Sequence, residues 1–78
     1  MWDNALAAEA RATWDDLSLS DPALKLDMRM DAALLSVGAF ADRYAGKVRA
    51  VLAKAGSDRD PDYCWDLAVA LWQICREG

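Results

Sequence analysis

The stretch Asp60–Arg76, DPDYCWDLAVALWQICR, decides how the rest of the chain is read. At about 100° per residue its apolar side chains, from Trp65, Val69 and Trp72 through Cys64 and Leu71 to Ile74, sweep roughly 220° of a helical wheel. Asp62, Asp66, Gln73 and Glu77 share the polar strip that is left. The apolar stripe of a surface helix is usually little wider than about 100°. This helix therefore reads as the central rod of a small bundle or as half of a subunit interface. Leu67, Leu71 and Ile74 are its expected core residues, and Trp65, Val69 and Trp72 its candidate contacts with a second copy. Its start is well marked, with Asp60 able to cap and Pro61 suited to the first helical position.

Upstream, the same Asp-Pro signal recurs at Asp21-Pro22 and opens another helix. The residues after it alternate: Leu24, Leu26, Met28 and Met30 interleave with Lys25, Asp27, Arg29 and Asp31. That is the period of a strand, but Leu and Met are weak strand formers. Leu26, Met30, Ala33, Val37, Phe40 and Tyr44 also recur at spacings of 4, 3, 4, 3 and 4, and the helical reading covers more of the chain. Gly38 and Gly46 are the candidate breaks, Gly46 having the look of a C-terminal glycine behind Arg43. At the N-terminus, Leu6, Ala10, Trp14 and Leu17 form one helical stripe behind Asp3 or Asn4 as cap. Asp15 and Asp16 oppose the helix dipole there, so that helix is expected to stop near Leu17. The expected fold is all-α: a bundle of about four helices over 3–17, 22–45 (with Gly38 the candidate for a kink), 47–55 and 61–76. The 78 residues form a single domain with the C-terminal helix at its centre.

A chain this short supplies only about 3–5 kcal/mol from one core unless packing is dense or another device helps. Four tryptophans fit dense packing or a self-interface. Cys64 and Cys75 stand about 16 Å apart along one helix, beyond disulfide reach, and read as free thiols. The N-terminal sequence lacks a basic segment followed by an apolar one, so no signal peptide is expected. No apolar run approaches the roughly 20 residues that span a bilayer. A cytoplasmic protein is the expectation, and the richness in Ala, Asp and Arg fits a GC-rich bacterial or phage genome.

Chemistry-bearing patterns are absent. There is no histidine, the commonest general base and metal ligand. Asp58, Asp60 and Asp62 alternate like the first ligands of a calcium loop, but Tyr63 stands where glycine is required and Val69 where glutamate is. Capping explains Asp60 better. Two cysteines cannot make a zinc site, and no glycine-rich phosphate loop is present. The chain is read as a non-enzyme with no metal or cofactor.

Charge says more. Net charge is −4, which argues against direct nucleic-acid binding. Residues 1–31 carry Asp3, Glu9, Asp15, Asp16, Asp21, Asp27 and Asp31 against Arg11, Lys25 and Arg29, whereas residues 32–56 carry Asp42 against Arg43, Lys47, Arg49 and Lys54. Asp15, Asp16, Asp21, Asp27 and Asp31 form a candidate acidic patch for a protein partner with a basic surface, of the kind that nucleic-acid-binding proteins carry. If the helix continues through Gly46, Arg43, Lys47 and Lys54 fall within about 40° of one another and are placed to neutralise neighbouring acids. The expected function is a small acidic inhibitor or adaptor that covers a basic surface of a larger partner. In size and composition, with no motif behind the likeness, the chain is similar to phage-encoded inhibitors of host defence such as anti-CRISPR proteins. The alternative is a homodimeric regulatory or structural module joined through Trp65, Val69 and Trp72.

Overall fold

A computed structural model describes residues 4–77 of the chain. The described residues form four helices and no strand: α1 (Asn4–Ser20), α2 (Pro22–Leu34), α3 (Val37–Lys54) and α4 (Pro61–Glu77). The all-α bundle expected from the sequence is the observed fold. Trp2 and Asp3, the expected lead-in and first cap candidate of α1, lie outside the described residues.

The C-terminal helix occupies the centre, as its wide apolar arc requires. It packs against all three other helices, most extensively against α3; α2 and α3 touch only lightly, and α1 and α3 do not come into close contact. Cys64, Leu67, Ala68 and Leu71 are almost completely buried, and Ile74 packs on their edge. From α1 the expected stripe of Leu6, Ala10, Trp14 and Leu17 faces them. Both Asp-Pro starts behave as capped N-termini: Asp21 accepts from the Leu24 N–H at 3.1 Å, and Asp60 from the Tyr63 N–H at 2.8 Å. Each satisfies one of the orphan donors of a helix start.

The helix boundaries in the middle of the chain differ from those expected. No rod runs from 22 to 45, and neither Gly38 nor Gly46 is a break. The chain turns at Leu35-Ser36, where Ser36 caps α3 by accepting from the Ala39 N–H at 3.3 Å. The turn is held from outside by α4: the Trp72 indole N–H donates to the Leu35 carbonyl at 3.1 Å, and Arg76 donates to the Ala32 carbonyl at 3.1 Å. Gly46 lies inside α3, so no separate helix over 47–55 exists. The helix stops at Gly56, as expected for the end of 47–55, and this glycine adopts φ 80°. Around it Gly56 N–H bonds Ala53 O at 3.0 Å and Ser57 N–H bonds Leu52 O at 2.8 Å, the paired bonds of a Schellman end that a left-handed glycine permits. At the other side, α1 passes the expected stop at Leu17 and ends at Ser20. Leu17 is buried and Asp15 and Asp16 are exposed, where an unfavourable dipole contact costs only about 0.3–1 kcal/mol.

The turn at Ser36 has a further consequence. A single rod would have put Leu26 and Met30 on the same face as Phe40 and Tyr44. With the rod broken, α2 buries Met28 and Ala32 instead, while α3 buries Phe40, Ala41, Tyr44, Val48 and Leu52. Leu26, Met30 and Leu34 are left outside.

Candidate protein-binding face and furrow

Leu26, Met30 and Leu34 follow one another at one-turn spacing along the outer face of α2, and are 55%, 58% and 79% exposed. Residues four apart on a helix stack on one side, so the three form a continuous apolar stripe. Asp27 borders it. At the last turn of α1, Leu19 is 91% exposed.

Beside α2, the scant contact between α2 and α3 leaves a furrow. One hollow of it, about 500 Å³, lies between the last turns of α1 and α3 and is lined by Thr13, Asp16, Leu19, Asp21, Val51 and Lys54 among others. A second hollow shares Asp21, Val51 and Lys54 with the first and adds Asp27 and Lys47. A third shares Asp27 and Lys47 and adds Asp31, Arg43 and Tyr44. The three run into one another. One wall, from α1 and α2, is acidic; the other, from α3, is basic. Because α3 continues through Gly46, Arg43, Lys47 and Lys54 do share one face, opposite the acids.

The five carboxylates of the expected patch have different positions. Asp16, Asp21, Asp27 and Asp31 line this furrow in order, whereas Asp15 is exposed on α1 outside it. Asp31 is held within the chain. Its Oδ2 accepts from Arg43 Nη1 at 2.9 Å and from the Tyr44 hydroxyl at 2.5 Å. Those two hydrogen bonds hold its carboxyl below the ordinary aspartate range, the charges of Arg43 and Lys47 adding to the effect. On the other partner, burial first and then the Asp31 bond push the Tyr44 hydroxyl up, so it stays a donor. Asp21 commits Oδ1 to its cap. Asp15, Asp16 and Asp27 make no ion pair among the described residues and carry the unneutralised charge of this side.

The residues expected at a self-interface are divided too. Trp72 is half-buried, bonded to Leu35 and covered by the Arg76 guanidinium at 4.9 Å from its ring centroid. Val69 packs against the core. Trp65 is the one that reaches solvent, at 39% exposure.

Elsewhere polar groups tie the bundle together. Tyr63 donates to Glu9, and Arg59 pairs with Glu9 at 3.3 Å while lying 4.6 Å from the Tyr63 ring centroid. Cys64 and Cys75 are free thiols. Burial raises both, Cys75 to about 11, which leaves them protonated and unreactive at neutral pH. Among the described residues no group of His, Cys, Asp or Glu is arranged to hold a metal ion, and no helix is long and apolar enough to cross a membrane. The apolar stripe is hidden in the sequence because Leu26 and Met30 recur in helical register with Phe40 and Tyr44, which are buried. The strict alternation from Leu24 to Asp31 was the available sign, since a helix built on it carries apolar residues on two opposite faces.

No protein family, curated protein or solved structure matches the chain.

Proposed function

We propose that this chain is a non-enzymatic protein-binding module that covers a basic-edged surface of a larger partner, as an inhibitor or adaptor does. The observation that carries this reading is the outer face of α2: three large apolar side chains in line, edged by an unpaired carboxylate, on a domain with ample polar sequence to cover them. Contiguous exposed apolar groups rimmed by charge are characteristic of protein interaction sites. Asp15, Asp16 and Asp27 supply the charge that would steer a basic partner. The free cysteines suit a reducing compartment such as the cytoplasm. The net charge of −4 disfavours a second copy of the chain and favours a partner of opposite sign. A homodimer through Trp65, Val69 and Trp72 has less to work with, since Trp72 already bonds and stacks inside the chain.

The test is a comparative capture from cells that encode the protein. Wild type is set beside an α2-face variant (Leu26→Gln, Met30→Gln, Leu34→Gln) and a carboxylate variant (Asp15→Asn, Asp16→Asn, Asp27→Asn). The expected result is a species recovered with wild type and lost from both variants. Identical recoveries from all three baits would overturn the proposal.

A further inference from the structure

Resting on the reading above, we infer that the occupant of the α2 face is an amphipathic helix of the partner protein, basic along its edge toward α3 and acidic along its edge toward α4. Ala23, Leu26, Met30 and Ala33 are all exposed and recur at spacings of 3, 4 and 3, the seam spacing with which one helix packs along another. Leu34 extends the row at its C-terminal end. The two alanines let a second backbone come close, while Leu26 and Met30 are the knobs that enter its grooves.

The borders of this seam differ in sign, and the structure fixes which lies where. On the side toward α3, Asp27 and Met30 line a hollow with Asp31, Arg43 and Lys47. Arg43 neutralises Asp31 there, and Asp27 has no ion pair among the described residues, so Asp27 is the carboxylate on offer. On the side toward α4, Arg29 and Ala33 line a hollow with Cys75 and Arg76. Arg29 also lines an adjoining hollow with Lys25 and Trp14. No carboxylate lines either hollow, and Lys25, Arg29 and Arg76 make no ion pair among the described residues. The apolar seam thus runs between an acidic border and a basic one, with room beside each. A helix seated on it is about 10 Å across and sends the side chains of its e and g positions down the two sides. Lysines on one flank meet Asp27, and glutamates on the other meet Arg29.

A second copy of the chain fits worse. Pairing α2 antiparallel with itself across a two-fold axis sets like border against like border, Asp27 beside Asp27 and Arg29 beside Arg29. A parallel pair would match the borders but bring together two domains of net charge −4.

The experiment is an NMR titration of the isotope-labelled full chain with stapled helical peptides about two heptads long, each with Leu at the a and d positions. One peptide carries Lys at e and Glu at g; the other carries Lys at both. Saturable shifts are expected along Ala23, Leu26, Met30, Ala33 and Leu34. The mixed peptide should bind about fivefold or more tighter, since its glutamates turn a repulsive border into an attractive one. Attraction by net charge alone predicts the reverse order, because the all-Lys peptide is the more basic. Arg29→Glu should reverse the preference, and Met30→Gln should weaken both peptides about tenfold. Circular dichroism should show both variants as helical as wild type, each position being exposed. Equal or tighter binding of the all-Lys peptide to wild type, or shifts centred on Trp65, would overturn the proposal. A dimer of the unliganded chain in sedimentation, abolished by Met30→Gln, would overturn it in favour of a second copy. If neither peptide binds while capture is lost in the α2-face variant, the protein-binding reading stands and the helical occupant fails. If the mixed peptide binds as expected while all three baits recover the same proteins from cells, the helix seat stands and the reading of its role in cells fails.

Discussion

The Tyr44 hydroxyl donates to the Asp31 carboxylate at 2.5 Å, across the gap between α2 and α3, which touch only lightly. With the Arg43 bond to the same oxygen, this is a polar link that ties α2 to α3 beside the furrow. Tyr44→Phe should lower the thermal midpoint by a few degrees, the scale set by one hydrogen bond in a domain of this size. Asp31 titrates below its ordinary value when folded. Its contribution is therefore fully present above about pH 4 and is lost as pH falls through the lowered folded value. The stability difference between wild type and Asp31→Asn, followed by urea midpoints from pH 7 downward, should shrink below pH 4. A difference that grows instead would contradict the assignment.

Glycines at two positions give opposite signs. Gly46 sits inside α3 with open space where a Cβ would be, so Gly46→Ala should stabilise the fold by about 0.5–1 kcal/mol. Gly56 has φ 80°, a conformation costing an L side chain about 1–2 kcal/mol, so Gly56→Ala should destabilise. Urea unfolding with unchanged slope measures both.

Ser36→Ala removes the cap of α3 and should cost about 0.5–2 kcal/mol, Ser36→Gly only a few tenths. Equal effects of the two would mean that the Trp72–Leu35 and Arg76–Ala32 bonds, and not the cap, hold the turn.

Neither thiol should react quickly. Burial raises both Cys64 and Cys75, so Ellman's reagent at pH 8 should label the native protein slowly and both residues at once in denaturant. Fast labelling of one thiol in the native state would show that its helix opens locally.

Each prediction rests on a boundary or contact of different legibility in the sequence. Asp21-Pro22, Asp60-Pro61 and Gly56 were readable because cap, proline and glycine chemistry are local. The core face of α1 and the central place of α4 followed from periodicity alone. The turn at Leu35-Ser36 was not readable, because no glycine or proline marks it and the bonds that hold it come from Trp72 and Arg76, far along the chain. Those two tertiary bonds hold the turn that sets which side of α2 faces inward. Until it is known, Leu26 and Met30 look like core, and Gly46 looks like a helix end. The acidic patch was legible as a composition of charges, but which carboxylates are engaged depends on neighbours: Asp31 meets Arg43 and Tyr44 only once α2 and α3 are antiparallel neighbours.

A mass measurement in solution separates the proposed reading from self-association. The chain should run as a monomer of 8.6 kDa at high micromolar concentration. A dimer abolished by Trp65→Ser, and untouched by Leu26→Gln, would favour the self-interface of Trp65, Val69 and Trp72.

In the proposed function, the outer face of α2 and its bordering carboxylates recognise a basic protein surface. Calorimetric titration of the captured partner against wild type and the two triple variants, at low and high salt, tests it most directly. Binding to wild type should be one-to-one and weaken as salt screens the carboxylates, with a loss of about tenfold or more in each variant and the variants' helicity unchanged. Equal affinities for wild type and both variants, indifferent to salt, would contradict it.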